Sequence, residues 1–325
     1  MADEAEGSVA ERVRLACAWV AGRARSVQID VGALEHYAAG LSKAPAPPPP
    51  DPATERVEGD DEARAAFVLC LDAINFGSGW WPTIRKRPGH SGYFTIAAGL
   101  TERFRESGPS QAAELAEIGA AEIAAVLGQD PDHPLMSDFA AALRDVGDHV
   151  KREHGGRFMA VIEAANGSAV ALAGLLAGWQ AFADVSSYEG RSVPFFKRAQ
   201  IAAADVDRMG LALAGAAVVW GPEGRPDLDR LTAFADNLIP HVFRVDGVLR
   251  LDPELERRIE AGELLEHGSP EEVELRACAV HTVELLVSAT NGRLSPAEID
   301  GVLWNRGAAE RYKSLPRPRS RNTAY

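Results

Sequence analysis

The sequence predicts an all-α fold, mainly helical with a few short strands. Three observations predict it. Alanine-rich stretches carry apolar residues at three- and four-residue spacing, runs of β-branched alternation are few, and three segments of the C-terminal third open on helix-start signals. Residues 8–24 place Val13, Ala16, Cys17 and Val20 on one side of a helix, and residues 31–42 continue the pattern in a shorter one. APAPPPPDPATE, residues 44–55, is too rich in proline for helix or central strand and reads as extended polyproline. The part before it is too short to fold alone, so the prolines read as a surface linker within one domain spanning 1–325. RSVPFF (191–196) and VDGVLRL (245–251) are candidate short strands. Asp252 before Pro253 reads as a helix cap. SPEE (269–272) and SPAE (295–298) each join a serine N-cap, a proline at the first helical position and a glutamate at the third, the pattern of a capping box.

Composition narrows the function. With 325 residues, 46% of them hydrophobic and 25% charged, the chain can bury a sizeable core. A net charge of −13 argues against a stable complex with DNA or RNA, whose phosphates reward a broad basic face, but leaves room for a small anion on a local basic cluster. The three cysteines, Cys17, Cys70 and Cys278, are far apart and form no CxxC, so neither a disulfide framework nor a zinc pattern is expected. The start MADEAEGS is acidic and unlike a signal peptide, and the longest apolar run, AVALAGLLAGW (169–179), is too short to span a bilayer. The expectation is a cytoplasmic protein with no membrane partner, no metal and no organic cofactor; composition is silent on oligomeric state.

Common catalytic motifs are missing. GSGWW (77–81) lacks the GxGxxG spacing, and no Walker GK[ST], GxSxG elbow or HExxH occurs. His149 and His154 are five apart, which puts them on different helix faces as exposed non-ligands. Three segments carry more chemistry. INFGSGWWPTIRKRPGHSGYF (74–94) combines Asn75, Phe76, Trp80, Trp81 and Tyr93 with Arg85, Lys86 and Arg87. Such residues can stack a base and hold a phosphate, or form a tryptophan-rich loop packed on the core beside a solvated basic turn. FFKRAQ (195–200) sets Lys197 and Arg198 beside two phenylalanines, as site cations or as snorkelling residues at a helix start. In LTAFADNLIPHVF (231–243), Asp236 lies in a segment apolar enough to be core. It either caps a helix or meets a substrate, and Pro240 four residues later suits a short helix start poorly.

The order of segments resembles the queuosine salvage protein family. The resemblance rests on LCLDAINF (69–76), AANGSAVALAGLL (164–176), DVSSYEGRSVPFFKRAQIAAADV (184–206), LTAFADNLIPHVFRVDGVL (231–249), GSPEEVELRACAVHTVELL (268–286), IDGVLWN (299–305) and PRSRNTAY (318–325), and runs over nearly the whole chain. It implies a fold related to helix-hairpin-helix DNA glycosylases and hydrolysis of the N-glycosidic bond of queuosine 5′-monophosphate, releasing queuine. Carried over by position, it implies that Asp236 is the catalytic carboxylate, Lys197 its lysine, Phe234 the aromatic before it, and Asp300 an aspartate contacting the base. A carboxylate beneath the ribose suits the positive charge that builds at C1′, and a nearby lysine opposes the desolvation that would neutralise it. Asn75, Phe76, Trp80 and Asn305 join the expected substrate site, and one of Arg85, Lys86, Arg87 and Arg198 is the expected 5′-phosphate ligand.

The chain also departs from the family pattern. Leu303-Trp304-Asn305 stands where the family carries Leu-Trp-Asp, Ser26-Val27 where it carries His-Val, and Asn237-Leu238 where it carries Tyr-Arg; residues 77–92 are longer. These changes fall on the substrate side while Asp236 and Lys197 are kept. N-glycosidase chemistry on queuosine 5′-monophosphate or a related purine or deazapurine nucleotide is therefore the leading reading. A non-catalytic protein that holds a modified base or nucleotide is the alternative, and a DNA or RNA glycosylase is disfavoured by the acidic charge.

Overall fold

The computed structural model describes residues 7–41, 57–211 and 227–325; the proline-rich stretch at 44–55 lies outside the described residues. The described chain is mainly helical, as predicted. Its N-terminal part holds α1 (Val9–Ala21), β1 (Val27–Ile29), α2 (Leu34–Leu41) and α3 (Asp61–Ala73). The middle is built from α4 (Gly92–Ser107), α5 (Ala112–Leu115), α6 (Ala120–Leu127), α7 (Pro134–Glu153), α8 (Phe158–Ala164) and α9 (Ala169–Leu176). Then follow β2 (Val185–Tyr188), β3 (Arg191–Pro194), α10 (Lys197–Arg208), α11 (Leu238–Val245), β4 (Leu249–Leu251), α12 (Pro253–Glu260), α13 (Pro270–Ala289), α14 (Pro296–Arg306) and α15 (Glu310–Lys313). The strands make two small antiparallel ribbons, β1 with β4 and β2 with β3.

Local chemistry sets the helix ends. Ser8 and Ser295 each form a full capping box, with Glu11 and Glu298 answering their serines. Asp252 accepts from the amides of Glu254 and Leu255. At Ser269 only half of the expected box forms: its hydroxyl accepts from Glu272 N, but Glu272 Oε2 accepts from Gly268 N instead of the cap amide. Glu272 is buried beside Arg276, and that charge keeps its carboxylate turned inward.

Two apolar clusters form the core. One gathers α1, α3 and α4 through α10; the other gathers α2, α11, α12 and α14. Helix α13 belongs to both, with Val273, Ala277 and Val280 at i, i+4 and i+7 facing the first and Leu275, Cys278, Ala279 and Leu286 facing the second. A helix apolar on opposite sides has to be internal, and α13 is the wall between the cores. Through Arg276, α13 holds Asp184, which accepts from the first amide of α10, and Ala235, which lies just before α11.

Candidate active site

Asp236 caps a helix with one carboxylate oxygen and leaves the other unengaged among the described residues. Its Oδ1 accepts from Leu238 N at 2.7 Å and Ile239 N at 3.1 Å, the first amides of α11. Oδ2 has no hydrogen-bond partner among the described residues, and the side chain is partly exposed. Pro240 is compatible with this start, contrary to expectation, because the first turn of a helix leaves amides without intrahelical partners and proline lacks one.

Lys197 opens α10 from the opposite side of the seam. It is 5% exposed, and its Nζ donates to Asn75 O at 2.9 Å and Asn75 Oδ1 at 3.3 Å. Burial draws its pKa down, and the charge of Asp236 draws it back up. The residue before it, Phe196, sits in the left-handed region at φ 50°, ψ 40°. That conformation costs a non-glycine residue about 1–3 kcal/mol and persists only where neighbours enforce it. Here Asp184 enforces it: its carbonyl accepts from Phe195 N at 2.9 Å and Phe196 N at 3.3 Å, and its Oδ2 accepts from Lys197 N at 3.1 Å.

Asp300, on α14, closes a third side. It is 5% exposed, and its Oδ1 accepts from Phe234 N at 2.9 Å. Burial, then the charge of Asp236, raises its pKa to about 8. One turn on, Trp304 meets the rings of Tyr93 and Phe94 from α4, with centroids 6.4 and 5.8 Å away. Asn305 is partly buried, and its Nδ2 donates to Gly301 O at 2.8 Å, so its amide donor is used within its own helix. The structure thus brings together Asp236, Lys197, Asn75, Phe234 and Asp300.

Three of the expected site residues are packed into the core. Arg198 is 2% exposed and donates to the carbonyls of Ala73, Thr323 and Ala324, with its guanidinium 4.7 Å from the Phe76 ring. It braces the core. Phe76, wedged between Arg198 and Phe139, and buried Trp80 are core residues too. The tryptophan-rich segment is the packed loop, and its glycines have a structural cause. A Cβ on Gly79 would lie 2.3 Å from the carbonyl oxygen of Ser320, and the amide of Gly77 donates to Tyr325 O at 3.0 Å. The loop is a seat for the C-terminal segment, where Pro318, Ser320, Asn322 and Ala324 alternate inward.

The basic turn has acidic partners of its own. Arg87 pairs with Glu102, and exposed Arg85 approaches Asp130 at 3.7 Å. Among the described residues no hydrogen bond or ion pair joins this turn to Asp236 or Lys197. His149 and His154 are only partly exposed, and both rings approach Trp179, at 4.6 and 6.0 Å. Among the described residues no group of three or more His, Cys, Asp or Glu is placed to hold a metal ion.

Sequence reasoning missed two groups. Arg317 lies near enough for the charge of Asp236 to oppose the lowering of its pKa by burial, and the buried pair Arg276–Asp184 borders Asp236 and Lys197. Both arginines stand in or beside the segments that carry the family resemblance, but nothing in their spacing marks a role.

The queuosine salvage protein family model matches residues 55–325. A queuosine 5′-phosphate N-glycosylase/hydrolase of Sphaerobacter thermophilus is 34% identical over 314 residues, covering 94% of this chain and 95% of its own. Proteins of the same description from Dictyostelium discoideum and Bos taurus are 30% and 28% identical, covering 81% and 79% of this chain and 79% and 80% of theirs. The chain belongs to the queuosine salvage protein family.

Proposed function

We propose that this protein hydrolyses the N-glycosidic bond of queuosine 5′-monophosphate, or of a related deazapurine nucleotide, and releases the free base. One observation carries the reading: Asp236 keeps one carboxylate oxygen clear of hydrogen bonds beside a buried lysine and a second buried carboxyl. Breaking C1′–N builds positive charge on the ribose, and an ionised carboxylate stabilises or attacks that centre. Lys197, aimed by Asn75, sets a positive charge within reach of the Asp236 carboxylate. Asp300 retains its proton to about pH 8, so it can donate to the departing base as water adds to C1′, and the proton that the water releases restores the Asp300 carboxyl. Phe234 supplies a dry wall, and Asn305 and Trp304 border the base.

The activity for which the relatives are named and the net charge of −13 support a small nucleotide rather than a nucleic acid as substrate. Arg317 is better placed for the 5′-phosphate than the 85–87 turn, being within charge reach of Asp236. Helix α13, shared by both cores, supports reading the described chain as one domain. No helix among the described residues is long and apolar enough to cross a membrane, and the buried free cysteines suit a reducing cytoplasm.

Product release measured by mass spectrometry tests the reading. Wild-type protein and Asp236→Ala are incubated with queuosine 5′-monophosphate and a panel of canonical and deazapurine nucleotides. Free base from one substrate, abolished by the variant, is expected. A ligand-induced rise in Tm with no base released from any would instead identify a binding protein.

A further inference from the structure

Arg276 is 1% exposed, in the middle of α13, where the two cores meet. Its Nη1 and Nη2 donate to Asp184 Oδ1 and Oδ2 at 3.0 and 2.6 Å, and its Nε and Nη2 donate to Ala235 O at 3.0 and 2.9 Å. The rings of Phe195 and Tyr325 cover the guanidinium, 3.9 and 4.4 Å from its carbon. Each hydrogen-bonded partner adjoins one half of the proposed catalytic pair. Ala235 is bonded to Asp236, and Asp184 holds the amides of residues 195–197, including that of Lys197.

We propose that Arg276 is the positioning residue that sets Asp236 against Lys197, acting through Ala235 on one and Asp184 on the other. The inference rests on reading those two as the catalytic pair. Only arginine suits the post. A planar fork can grip a carboxylate with two nitrogens while turning a third toward a carbonyl, and a lysine ammonium is a single point. Tyr325 backs the plate on one face, which gives the seating of the C-terminal segment on Gly77 and Gly79 a consequence for the site. Buried charge of this kind does not by itself add stability, which leaves a geometric role to explain it.

The test is steady-state kinetics on queuosine 5′-monophosphate for wild type, Asp236→Asn, Arg276→Lys and Asp184→Asn, each normalised to its folded fraction. Arg276→Lys and Asp184→Asn are expected to lower kcat on the order of 10²-fold while KM stays within about threefold, because displacement by an ångström misaligns reacting groups without removing contacts to substrate. A structural role alone would lower Tm and the folded fraction and leave kcat per folded molecule unchanged. That result in either variant overturns the inference. Should Arg276→Lys fail to fold, the isosteric Asp184→Asn decides. Full activity in Asp236→Asn would instead overturn the catalytic assignment, and the positioning role with it.

Discussion

Asp236 Oδ1 accepts from Leu238 N at 2.7 Å and so caps α11 with one oxygen, leaving the other unengaged among the described residues. Capping and catalysis are therefore separable by substitution. Asp236→Asn keeps a capping oxygen and loses the charge, so activity is expected to fall on the order of 10²–10³-fold with little change in Tm. Asp236→Ala should lose that activity and about 1 kcal/mol of stability besides. Parallel kinetics and thermal unfolding check both; an active Asp236→Asn would reduce the residue to a cap.

Asp300 gives the fold a pH signature. Its carboxyl titrates near the ordinary aspartate value of 3.8 when unfolded and at about 8 when folded. Between those values the folded state binds the extra proton, so this contribution is complete below pH 4 and is lost as pH rises towards 8. The slope is at most about 1.4 kcal/mol per pH unit. Urea unfolding of wild type and Asp300→Asn from pH 5 to 9 should show the variant with the flatter dependence. Equal slopes would remove the proton from Asp300.

Arg198 should behave as a brace. Arg198→Gln takes the donor from the carbonyls of Ala73, Thr323 and Ala324, and each of the two in buried bonds, Ala73 and Ala324, costs about 1–3 kcal/mol when orphaned. A lowered midpoint in denaturant with unchanged KM for the folded fraction is expected. A stable variant whose KM rises only for 5′-phosphorylated substrate would restore Arg198 as a phosphate ligand.

Asn305 tests the proposed base-binding side of the site. In Asn305→Asp the hydrogen bond to Gly301 O is lost and the side chain becomes acceptor-only. The substitution is expected to raise kcat/KM for queuosine 5′-monophosphate by about tenfold relative to other nucleotides, the scale of one hydrogen bond to a charged group. Unchanged selectivity would show that residue 305 does not read the base.

Much of this protein is decided locally and is legible along the chain. Serine caps, prolines at first helical positions and the 3.6-residue spacing of Val13, Cys17 and Val20 depend only on neighbours within one turn, so the helices could be named from the sequence. The order of segments identified the family and pointed to Asp236, Lys197 and Asp300. Tertiary structure decided which charges face a site and which brace the core. Lys197 and Arg198 are consecutive and alike on paper, yet one reaches Asn75 beside Asp236 and the other is clamped by carbonyls of the C-terminal segment. That difference is made by residues more than ninety positions away, as are the seat at Gly79 and the grip of Arg276 on Asp184. Such contacts leave no period in the sequence, because they are set by the close packing of separate elements rather than by the geometry of any one.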